Sequence, residues 1–249
     1  MTLLPPTVEQ QRRINEEIPP DPEMRKRDII AIREWLSKQL HLPNHMDDNR
    51  LENFLFGCKN SVERCKLILE RYFSVRTALP EFFATRDPLS QEVQDCCDAI
   101  QYFVLPSLTV EGYRVTILRL NDTDIDKFSV QAISRRILMV QDIRLIEEPS
   151  LSNVMVIDLE FRVHTGGGEE LYSYMDQEIL PNEWGGKAGT FAELNDAWRK
   201  KIERNRDWYL REEKLSRTNE SVRLPGTKPS GLFLELDGVQ GSFRKLNID

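Results

Sequence analysis

The sequence predicts an α/β protein: a domain of three to four helices, then a sheet domain built on a βαβ unit, a C-terminal helix and an extended tail. Three observations carry this. Apolar residues recur at helical spacing through the first third of the chain, two strand-like runs flank one long helical stretch, and the composition turns polar from Ser216 onward. Length and composition agree, since 249 residues with 40% hydrophobic content can bury a real core.

Asp21-Pro22 opens a helix whose apolar positions are Ile29, Ile32, Leu36 and Leu40, closed by Pro43. Asp47 or Asp48 can cap a second with Leu51, Phe54 and Leu55 on one side, and Gly57 is a natural stop. Asn60 and Glu63 suggest a capping box ahead of Val62, Cys65, Ile68, Leu69, Tyr72 and Val75, ended by Pro80. A further amphipathic stretch runs from Leu89 to Val104. Tyr113 to Leu120 reads as a strand, Val130 to Ile143 as a helix, and Asn153 to Leu159 as a second strand. Strand, helix and strand in that order make a parallel pair. Helical character returns at Glu169 to Met175, and a last helix carries Phe191, Leu194, Trp198, Ile202 and Tyr209 on one side. The domains fall at 1–84 (helical), 85–214 (sheet) and 215–249 (tail).

Charge and motifs narrow the function. Thirty-four Lys and Arg against 41 Asp and Glu give a net charge of −7, which argues against nucleic acid as a partner. No apolar run is long enough to span a bilayer, and Met1 to Pro20 lacks a signal-peptide core, so the expectation is a cytoplasmic protein. Cys58, Cys65, Cys96 and Cys97 have no metal-ligand or CxxC spacing and read as reduced, buried thiols. His41, His45 and His164 form no metal spacing, and there is no nucleophile elbow. Gly166 to Gly168 lacks the Lys-Ser/Thr of a phosphate loop and reads as a turn. Asp158 and Glu160 are alternate carboxylates at a strand end, a pairing that suits acid/base work but lacks a nucleophile or metal partner. The basic face of the last helix is interrupted by Glu203, Asp207, Glu212 and Glu213 and reads as solvated. By elimination the chain fits a binding protein better than an enzyme, with no cofactor.

Several ordered passages resemble the CRAL-TRIO family of lipid-transfer proteins, in the branch similar to alpha-tocopherol transfer protein and retinaldehyde-binding protein, with insect members nearest. They are Ile32 to Leu42, Asp48 to Lys66, Tyr72 to Phe83, Tyr113 to Leu120, Glu147 to Glu160, Ile179 to Gly189 and Gly241 to Asp249. The resemblance implies a non-enzymatic carrier that encloses a tocopherol, retinoid or phospholipid and moves it between membranes, some members responding to phosphoinositides. It places Ile133, Ile137, Val140, Gln141, Met155 and Ile157 along a ligand pocket and leaves Lys59 as the one retained basic residue of the membrane-facing cluster. The same positions also suit ordinary core packing.

The chain departs from the family at Glu160, which runs directly into Phe161-Arg162-Val163-His164 as though an internal segment with the lid were removed. Asn153 to His164 then becomes one run too long for a typical strand. The sheet narrows and apolar surface is left open, which gives a monomer prone to self-association. Ligand transfer is therefore expected to be impaired. The alternatives are a non-ligand-binding interaction module working through its helices, an inactive isoform, or an enzyme using Asp158 and Glu160.

Overall fold

The computed structural model describes residues 2–121, 129–149, 151–158 and 168–227. The architecture is mixed α/β. Helices α1 (Val8–Glu17), α2 (Pro22–Lys38), α3 (Asp48–Gly57), α4 (Val62–Ala78), α5 (Pro80–Phe83) and α6 (Gln91–Ala99) precede strands β1 (Ile100–Leu108) and β2 (Arg114–Leu120). Helix α7 (Val130–Glu147), strand β3 (Asn153–Asp158) and helices α8 (Phe191–Arg204) and α9 (Arg206–Leu215) follow.

Among the described residues the sheet has order β1-β2-β3, with β1 antiparallel and β3 parallel to β2. Helix α7 is thus the crossover of the anticipated βαβ unit. Val115 pairs with Val154 and Ile117 with Val156, and these side chains pack into the core with Phe103, Phe191, Leu194 and Trp198. The Trp198 indole N–H donates to the Val104 carbonyl at 2.9 Å, which fixes α8 across the strand. Tyr102, on the opposite face, receives a hydrogen bond from Gln141 of α7.

Helices α2, α3 and α4 enclose a separate apolar cluster, with Ile32, Leu36, Leu51, Leu55, Cys65, Leu69 and Phe73 almost fully buried. Asp21, Asp47 and Ser61 each accept a backbone N–H at the start of their helices, satisfying a donor the helix itself leaves open. The cap of α4 is therefore Ser61, not Asn60. The chain reverses after α3 through Lys59 and Asn60, at φ 53° and 56°, whereas Gly57 is simply the last helical residue.

Several elements differ from the sequence reading. Helix α1 has no apolar period in the sequence, because its only core contribution is Ile14, next to Ile18. Gly112, at φ +87°, lets α1 approach closely: a Cβ there would stand 2.8 Å from Ile14 Cγ1. The Leu89–Val104 stretch splits into α6 and β1, and Pro106 falls where the β1–β2 register shifts, a site that needs no ladder N–H. The last helix breaks at Asn205 into α8 and α9. Glu169–Met175 holds a 3-10 turn, Gly168–Ser173, rather than an α-helix. Strand β3 ends at Asp158, and Glu160, the junction to Phe161, His164, Gly166 and Gly167 lie outside the described residues.

The four cysteines are buried and unbridged. Among the described residues no helix is long and apolar enough to cross a membrane, and no His/Cys/Asp/Glu group could hold a metal.

Candidate interaction site

The helical unit meets the α/β part along a seam of charge. Asp142 of α7, 5% exposed, accepts from Arg76 Nη2 at 2.5 Å and from Arg86 Nη2 at 2.6 Å. Tyr72 donates to the same carboxylate at 3.4 Å and receives from Arg50 Nη2 at 3.1 Å. Arg50 also pairs with Glu212 of α9 at 3.1 Å. Glu212 in turn lies 3.0 Å from His45 Nε2 and accepts from the Ser216 hydroxyl at 2.5 Å. Aromatic faces cover the guanidiniums: Arg76 stands 3.4 Å from the Tyr72 ring centroid, Arg50 5.3 Å from Trp208 and Arg86 5.1 Å from Tyr209.

Burial alone would raise both carboxyls. Arg76 and Arg86 instead hold Asp142 below the usual carboxylate range, and His45, Arg50 and Ser216 hold Glu212 at about 2. Burial, aided by Asp142, pushes the Tyr72 hydroxyl up to about 12. Asn53 and Asn49, one turn apart on α3, donate at 2.8 Å to the Leu145 and Ile146 carbonyls, two of the open acceptors at the end of α7. The seam orients the helical unit, which also exposes several apolar side chains to solvent: Ile30 is 58% exposed and Leu40 79%, with Met24 and Leu67 also exposed.

The positions anticipated as pocket lining divide. Ile133 and Val140 are buried in the α/β core, and Ile137 is half-buried against it. Gln141 is half-buried and donates to the Tyr102 hydroxyl at 2.6 Å. Met155 and Ile157 point away from the face that Val154 and Val156 pack into the core, and both are exposed. Lys59 pairs with Glu17 at 3.2 Å on an exposed surface. Asp158 pairs with Arg119 at 3.4 Å. A cleft of about 730 Å³ opens elsewhere, between the residue 2–6 arm, α1 and the ends of α7 and α8, and none of the six lining residues borders it.

The seam residues Arg50, Tyr72, Arg76, Arg86, Asp142 and Glu212 were missed in the sequence. Arginines in helices read as solvated, and the one available signal was Asp142, an acid set between the apolar Val140 and Ile143.

Residues 21–93, from the N-cap of α2 into α6 and less than a third of the chain, match a family model described as Pinta-like, UBA domain. No curated protein matches the chain. The family match overturns the CRAL-TRIO resemblance, three of whose passages, Ile32 to Leu42, Asp48 to Lys66 and Tyr72 to Phe83, lie inside the matched stretch. The tocopherol-transfer-like, lipid-transfer and phosphoinositide readings drawn from that resemblance fall with it. Over those residues the chain is similar to a Pinta-like UBA domain, a different domain type from the one the resemblance implied.

Proposed function

We propose that this chain is a non-enzymatic interaction module in which the helical unit engages a protein partner while the α/β part holds it in place. The observation that carries the reading is the match of residues 21–93 to a UBA-type domain, a type whose name denotes ubiquitin association. Two features support it. The helical unit closes its own core with only Leu145 of α7 added from the α/β part, and its exposed residues Ile30, Leu40 and Leu67 offer apolar contacts to a partner. Asp158, the anticipated acid, is engaged by Arg119, which favours a structural role over proton transfer.

Ubiquitin is the first partner to test. Titrating isotope-labelled ubiquitin with the whole chain should shift a contiguous set of ubiquitin resonances. Ile30→Asp and Leu40→Asp, both at exposed positions that tolerate charge in the free protein, should each weaken binding about tenfold or more. Unshifted resonances at excess chain would remove ubiquitin as the partner.

A further inference from the structure

Past α9 the described residues stay on the molecule. Ser216 to Thr227 returns across the helical unit and lies against one stripe of α4, where Glu70, Ser74 and Thr77 fall at i, i+4 and i+7 and so share a face. Thr77 Oγ1 accepts the Thr218 backbone N–H at 2.8 Å and lies 2.9 Å from the Thr218 hydroxyl, which donates to Glu220 at 2.6 Å. The Asn219 N–H donates to the His41 carbonyl at 2.9 Å. Arg223 reaches deepest, its side chain only 4% exposed. It donates to Glu70 and, at 2.8 Å, to the Ser74 hydroxyl, while Nε donates to Glu220 at 2.8 Å. The socket is organised behind it, with His41 Nε2 3.0 Å from Glu70 and Ser74 donating to Glu70 at 3.2 Å.

The segment has little else to hold it. Within Ser216 to Thr227 only Ser216, Thr218 and Arg223 are withdrawn from solvent, and Leu224 is 70% exposed. Without an apolar anchor its docking rests on hydrogen bonds that each contribute roughly 1 kcal/mol, somewhat more where charge assists. Attachment to α9 supplies the remainder, since tethering gives such a segment an effective concentration on the order of millimolar. A groove whose occupant is held this way accepts a competitor of the same chemistry.

We propose that the His41–Glu70–Ser74–Thr77 stripe is a second docking groove on the helical unit, made for an extended peptide segment carrying an arginine, and that Ser216 to Thr227 is its resident intramolecular occupant. A partner segment with an arginine in the Glu70 socket displaces the resident. The groove thereby couples partner binding to release of Ser216 to Thr227. Its use as a regulator rests on the helical unit being an interaction module, but the binding test below contains no ubiquitin and stands apart from that reading.

The test uses a fluorescein-labelled peptide of residues 216–227 added to the whole chain, with fluorescence anisotropy as the readout. Arg223→Ala frees the groove, so the peptide should bind that variant roughly tenfold or more tighter than it binds the wild-type chain. Adding Glu70→Gln to Arg223→Ala should remove the gain, as should replacing the arginine of the peptide by alanine. Thr218→Ala provides an independent opening variant should Arg223→Ala fail to fold, judged by its thermal melt. Equal binding to the wild type and a folded opening variant would overturn the proposal, as would no binding to either, or a gain that Glu70→Gln leaves intact.

Discussion

Helix α8 meets the sheet through Phe191, Leu194 and Trp198, whereas the helical unit meets α7 through Asp142, Arg76 and Arg86. The first joint is mainly apolar, with the Trp198 indole donating to Val104 and Asn195 accepting the Tyr102 N–H at 3.2 Å, and its apolar part gains from every Å² removed from water at any pH. In the second, three buried arginines face two carboxylates, and only excellent geometry repays their desolvation. The contrast teaches that the two parts are welded differently. The α/β core is held mainly by burial, and the helical unit is held in one orientation largely by directional bonds, the strongest of which depend on charge state.

The largest break in the comparison should come from Trp198→Ala. The cavity and the stranded Val104 carbonyl together should cost about 4–5 kcal/mol in urea unfolding, with little dependence on pH. Asp142→Ala should follow at about 3–5 kcal/mol, because Arg76 and Arg86 would keep their burial and lose their counter-charge. A loss below 1 kcal/mol would show that the seam is wet and weak.

Acid should then separate the joints without any mutation. Asp142 and Glu212 have folded-state pKa values below their ordinary ones. The stability they supply is therefore complete above the ordinary carboxylate range and drains as pH falls, for Glu212 from about pH 5 toward 2. Hydrogen exchange should show the seam segments of α4 and α7 opening in that window before β1 and α8 do. Simultaneous opening would mean that the seam is no weaker than the sheet. A milder lesion, Asn53→Ala, leaves the Leu145 carbonyl short of its donor and should cost about 1 kcal/mol. Ile157→Thr, at an exposed position of β3, should change stability by less than about 0.5 kcal/mol. A larger loss would show that the outward face of β3 is covered in solution.

The elements legible in the sequence were those with a clean period and a hard stop. Ile29, Ile32 and Leu36 before Pro43, and the βαβ unit around Ile133 and Ile143, were readable because their apolar positions repeat and prolines or polar turns bound them. Strand β1 was not, since Ile100 to Leu108 continues an apolar helix without punctuation and a short buried run has no period of its own. The candidate site was less legible still. A sequence states that Met155 and Ile157 share a face of β3, yet it does not say which face the rest of the chain covers. Nor does it distinguish Arg76, stacked on Tyr72 and clamped to Asp142, from an arginine in water. The family match found the helical unit from residues whose partners lie mostly inside it.

The docked segment has a consequence in time. Arg223 and Ser74 are 149 positions apart in the chain, and Thr218 and Thr77 are 141. At ribosomal rates of roughly 5–20 residues per second, the helical unit emerges about 7–30 s before the residues that cover its α4 stripe are made. Every newly synthesised copy thus passes through a stage in which Glu70 and Ser74 are bare, whatever the mature protein later does with them. A nascent-chain partner with a suitable arginine meets no competitor during that interval, and the order of synthesis favours it over the segment that arrives last.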